Sequence, residues 1–219
     1  MRTLLLFFIW ISSSFLSAQT FYEKIMEMNI ANADTSNDRP TLDLSAKAME
    51  RVSRGVSNNW DVAFHSALCY VRITDISLIK KDTVGAKIAL VIAATNLKKV
   101  DTMRPADPEC KILMFYHKIN EFRLAKTDPK AIDLLETQLE SFKKINALNP
   151  RIRIVNAYFY RCFYFSNKAK RKKALDLLQE ATKLFETEKP GEFKTKWGKK
   201  WMNELSTELN LKGNSAKTK

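Results

Sequence analysis

The chain has 219 residues, 37 basic against 24 acidic, for a net charge of +13. A 45% hydrophobic and 28% charged composition fits a folded chain of one or two domains. Five glycines and six prolines are too few for a turn-rich sandwich or barrel. Neither GxGxxG nor GxxxxGK[ST] occurs, which excludes a glycine-rich phosphate loop. Two histidines and three cysteines leave little for metal or nucleophile chemistry.

Residues 1–18 read as a secretory signal peptide. Arg2 supplies the positive end, Leu4 to Ile11 is an apolar run of eight, and Ser17-Ala18 offers cleavage before Gln19. The run is too short for a bilayer core, which needs roughly 20 residues. The expected mature chain is therefore periplasmic or secreted, and the sequence offers no further membrane span in it. Cys69, Cys110 and Cys162 show no CxxC spacing and are odd in number. They read either as small buried residues or as one disulfide and a leftover thiol.

The mature part predicts helices throughout. Phe21–Ala33 is moderately periodic, and Asn32–Pro40 is a polar break. Thr41–Arg54 stops at Gly55, a helix-ending residue. Trp60–Ile79 puts Trp60, Phe64, Ala67, Leu68, Val71 and Ile79 broadly on one face. Asp82 caps a helix to about Val100, and Pro108 opens another to about Ala125. Asp128-Pro129 starts a helix to Leu148, and Asn149-Pro150 starts the next, to about Ser166. Lys170–Glu188 and about Trp197–Leu211 follow, before a polar tail over 212–219. The expected fold class is all-α, with about nine helices in antiparallel pairs over 19–211.

Within 172–186 the series Ala174, Leu178, Ala181 sets small residues around one large one, at spacings of four and three. Small residues let two helices approach closely. Ala86, Leu90 and Ala93 repeat the series. In 128–148 it departs to Gln138, Phe142 and Ile145, with a closing Pro150. These features, with NNWDVAFHSALCYV (58–71) and KWGKKW (196–201), resemble a family of short exported bacterial proteins of the tetratricopeptide-repeat (TPR) type. The resemblance implies a right-handed superhelix of three helix pairs, 60–100, 108–148 and 150–188, with 197–211 as a cap. It implies protein binding in the groove of the first helices, no catalysis and no cofactor. The expected partner is another envelope protein.

Charge is uneven along the chain. From Gln19 to Cys110, 12 basic residues balance 12 acidic ones, whereas Lys111–Lys219 holds 24 against 12. Ser141–Leu175 contains ten basic residues and no acid: Lys143, Lys144, Arg151, Arg153, Arg161, Lys168, Lys170, Arg171, Lys172 and Lys173. A second cluster is Lys194, Lys196, Lys199 and Lys200, beside Trp197 and Trp201. Such a run is either a solvated face or a field for an anionic partner, here a lipid head group or acidic polysaccharide. Nucleic acid is not the expected partner of an exported chain, although aromatics such as Tyr158 and Phe163 interleave the run. His65 and His117 lack HxxxH spacing, so no zinc site is expected, and no GxSxG elbow occurs.

Overall fold

The computed structural model describes residues 24–55, 59–125, 127–188 and 197–215. The expected signal peptide, the start at Gln19, and Lys194 and Lys196 lie outside the described residues. Nine helices and no strand occur among the described residues. They are α1 (24–35), α2 (Arg39–Gly55), α3 (Trp60–Ile79), α4 (Thr83–Met103), α5 (Pro108–Ala125), α6 (Pro129–Ile145), α7 (Pro150–Phe163), α8 (Lys168–Thr187) and α9 (Lys199–Ser215). Helix α9 continues four residues beyond its expected end at Leu211, into the segment read as a tail.

Side-chain caps fix the helix starts. Free amides of a first turn are taken by Asn59, Asp82, Asp128, Asn149 and Asn167, each accepting from a backbone N–H inside its helix. Asp107 accepts from Glu109 and Cys110 to start α5, and Asp38 from Thr41 to start α2. At the other end of α1, the buried Arg72 donates to the carbonyls of Ala33 (2.6 Å) and Asp34 (2.5 Å). A cation there satisfies carbonyls that have no helical partner and opposes the negative end of the helix dipole.

Helices α3, α5, α7 and α9 form a row in which each packs on the next. The flanking helices α4 and α8 pack closely on α3 and α7 respectively, and α4 and α6 also lean on the following row member. This alternation is a helical repeat-like arrangement. Alanines permit the close pairs: α3 buries Ala63 and Ala67, α4 buries Ala86, Ala89 and Ala93, and α8 buries Ala174 and Ala181 with Leu178. Leu90 is only half-buried; Ala89 stands in the contact instead, and the Leu90 carbonyl accepts from His117 Nε2 at 3.0 Å.

The pairing of 108–148 is looser than expected. Helix α6 packs on α7 and meets α5 through the rings of Phe142 and Phe115, 5.4 Å apart. Its buried residues are Leu135 and Leu139, whereas Gln138 and Ile145 are exposed.

Helix α3 is buried nearly all round, from Val62 to Asp75, by α2, α4 and α5. By length and composition it could cross a bilayer, a candidate the sequence reading did not count. In this fold its apolar surface is covered by other helices instead. Burying a large side chain such as Phe64 or Leu68 stabilises by roughly 1.5–3 kcal/mol. Cys69, Cys110 and Cys162 are free thiols, so no disulfide joins them. Burial pushes the Cys69 and Cys110 thiols up to about 12.

The row closes on the junction of α1 and α2. Gly198 N–H donates to Asp34 Oδ1 at 2.6 Å, Asn37 Nδ2 to Glu204 Oε1 at 2.7 Å, and Lys200 Nζ to the Thr35 carbonyl. Gly198 has φ +100°, a left-handed backbone that a side chain would strain.

Candidate functional site: the inner cleft

The inner side of the α3–α5–α7 row is where the resemblance places a ligand. Much of it is filled by the chain itself. Trp197 lies 6.3 Å from the Phe64 ring and donates its indole N–H to Glu109 Oε2 at 2.6 Å. Trp201 lies between Tyr116 (4.4 Å, 12° from parallel) and Tyr158 (5.2 Å). Both indoles are buried. Beneath Trp197, Glu109 also accepts from Asn149 Nδ2 at 2.6 Å.

A cleft of about 310 Å³ remains beside Trp201, reaching across the row from α3 to α9. Arg72, Asp75 and Ile76 of α3, Arg161 of α7, and Trp201 and Glu208 of α9 line it, with Ile79 and Lys80 at its edge. Its floor is a buried polar network. Tyr158 Oη donates to Asp75 Oδ1 at 2.6 Å, and Arg123 Nη1 donates to the same oxygen at 2.5 Å. Arg123 also donates to the Tyr158 oxygen and to Asn120 Oδ1 (3.1 Å). Asn120 Nδ2 in turn donates to the Val71 carbonyl at 3.1 Å, and Tyr116 Oη to Asp75 Oδ2 at 3.4 Å. Burial, reinforced by the Asp75 charge, holds both phenols far above the usual tyrosine range. They stay protonated and act as fixed donors.

Asp75 therefore sits under three donors. On the wall, Arg161 forks onto Glu208 with Nη2–Oε1 2.9 Å and Nε 3.2 Å from each oxygen. The floor is rigid and apolar-edged, and the rim presents both signs of charge. No group of three or more metal-ligating side chains occurs among the described residues, and His65 and His117 sit on different helices.

The sequence reading missed this network. The available signal was the pair Arg72 and Asp75 inside an otherwise apolar stretch of α3. Buried charges of this kind require partners from elsewhere in the chain.

The basic run resolves differently from its linear count. Lys143 pairs with Glu140 (2.8 Å), Lys173 with Glu140 (3.1 Å), Lys170 with Glu136 (2.5 Å) and Arg153 with Glu180 (2.9 Å). Arg151 is 2% exposed and pairs with Glu188 at 2.9 Å, so it belongs to the interior and not to a surface patch. Lys144, Lys168, Arg171 and Lys172 have no ion pair among the described residues; all but the half-buried Arg171 are exposed. The acids that answer the run stand one helix turn upstream or on neighbouring helices. The lysine pairs hold Glu140 down at about 2, against the raising effect of its burial.

No family model, no curated protein and no solved structure matches this chain.

Proposed function

We propose that this chain is an exported, tetratricopeptide-like scaffold that binds a partner protein of the cell envelope and does no chemistry itself. The inner cleft supports this reading: about 310 Å³ open beside a rigid, fully bonded floor. One or two partner side chains enter it, against Ile76 and the edge of Trp201. Lys80, Arg161, Glu204 and Glu208 on the rim then meet the partner's polar groups. A photo-cross-linking residue in place of Ile79, 56% exposed at the mouth, tests this in intact cells. The expected result is a discrete protein adduct at that position and none at Lys183, exposed on α8. Equal labelling at both positions, or none at Ile79, overturns it.

A second reading rests on Lys144, Lys168, Arg171 and Lys172, the cations of the basic run without an ion pair among the described residues. In it the chain is an adaptor for an anionic envelope component, a lipid head group or acidic polysaccharide. Its binding then falls steeply with salt, because the screening length shrinks from about 10 Å at 0.1 M to about 3 Å at 1 M. Reversal of these four residues to Glu abolishes it, and salt-insensitive binding overturns it.

A further inference from the structure

The outer face of α4 contributes nothing to the inner cleft. It carries Val84, Ile88 and Val91, which are 68%, 58% and 67% exposed. The stripe continues to Thr95, so the spacing along the helix is four, three, four. That is the heptad spacing of a helix–helix seam. The other side of α4 is fully used: Ala86, Ala89, Ala93, Leu97 and Val100 are buried. The stripe is thus a second, unpartnered apolar face on a helix that is already anchored.

Its charge is one-sided. Lys87, Lys98 and Lys99 are exposed beside the stripe, and none makes an ion pair among the described residues. The only acid in α4 is Asp101, which is taken by Lys111 at 2.7 Å.

We propose that this face docks an acidic amphipathic α-helix of another protein. The heptad spacing lets apolar residues of the partner interlock with Val84, Ile88 and Val91. β-branched side chains have few rotamers to lose on docking. Asp or Glu flanking the partner's stripe answers Lys87, Lys98 and Lys99. A second copy of this chain is a poor occupant, because it would bring the same lysines together, and like charges across an interface are costly. A bilayer is a poor one too: the stripe has no aromatic anchor, which helices lying in a membrane interface commonly carry. The surface is small, so the contact is weak and reversible.

The test uses the mature chain and a three-heptad synthetic helix with leucine on its seam and glutamate on its flanks. A matched helix has lysine on the flanks, and anisotropy of the labelled peptide reports binding. The Glu-flanked helix is expected to bind and the Lys-flanked one not. Ile88→Glu should weaken binding about tenfold through lost apolar contact and added repulsion, with melting temperature unchanged because the site is exposed. Joint reversal of Lys87, Lys98 and Lys99 to Glu should switch the preference to the Lys-flanked helix. Equal binding of the two helices, or of wild type and Ile88→Glu, overturns the proposal. So does Ile88-dependent binding to phosphatidylglycerol vesicles without helix binding, or self-association abolished by Ile88→Glu. A cross-link at Ile79 that persists in Ile88→Glu keeps the inner-cleft reading separate from this one.

Discussion

Trp201 lies flat on Tyr116, ring centroids 4.4 Å apart and planes 12° from parallel. The Tyr116 hydroxyl then donates to Asp75 at 3.4 Å, so a single column of side chains runs from α9 through α5 to α3. A helix at the end of the chain thereby supports the polar floor laid down by the third helix.

Removing the top of that column should be costly. Trp201→Ala is expected to lower unfolding free energy by about 3–5 kcal/mol, the usual range for a buried aromatic cut to alanine. Urea unfolding followed by far-UV circular dichroism measures it. A loss under about 1 kcal/mol would mean that α9 packs only loosely on the row.

The floor makes a sharper test. Tyr158→Phe removes one donor to Asp75 but leaves Arg123 in place, and should cost about 1–3 kcal/mol. Asp75→Ala strands the Arg123 guanidinium, whose side chain is 15% exposed, and should cost about 3–5 kcal/mol. The double variant should fall short of the sum, because the two groups share one bond. Strict additivity would show that the network is not coupled.

Glu140 gives the acid side of the stability profile. Its folded value of about 2 lies below the ordinary 4.5, so the folded state favours its charged form. The stabilisation from its Lys143 and Lys173 pairs is complete above about pH 4.5 and is lost as pH falls towards about 2. Glu140→Gln should therefore be less stable than wild type at neutral pH, and the gap should close between those two values. A gap that stays constant down to pH 2 contradicts this.

Helix α8 offers a paired comparison. Ala174 and Ala181 are fully buried, while Lys172, two residues from Ala174, is exposed. Ala174→Glu and Ala181→Glu should each destabilise by at least the roughly 1–3 kcal/mol of overpacking, with a buried charge added. Lys172→Glu should leave the thermal melt nearly unchanged. Equal melts for all three would remove α8 from the close helix pair.

Helix starts were legible because capping is local. Asp128-Pro129 and Asn149-Pro150 each hold the cap and the first helical residue side by side, and α3 and α5 begin and end where the residues predict. Registers were less legible. In α6 Gln138 breaks the small–large–small series, and Leu135 and Leu139 face the interior instead, where α6 packs on α7. The filling of the groove by Trp197 is not legible, because nothing near it in sequence reveals that Phe64 and Glu109 will receive it. The basic run misled for a related reason. Counting along the chain cannot see that Arg153 of α7 faces Glu180 of α8, or that Arg161 faces Glu208 of α9.

The bonds from Gly198, Lys200 and Glu204 back to the α1–α2 junction change what kind of array this is. In an open solenoid, stability is a sum of nearest-neighbour terms, and repeats can be added or cut from one end. Here α9 is also a neighbour of the α1–α2 junction, so deleting it strips contacts from both ends of the described array at once. Unfolding should be a single cooperative step instead of fraying from a terminus. For the same reason, an inserted helix pair would displace α9 from Asn37 and Gly198 from Asp34.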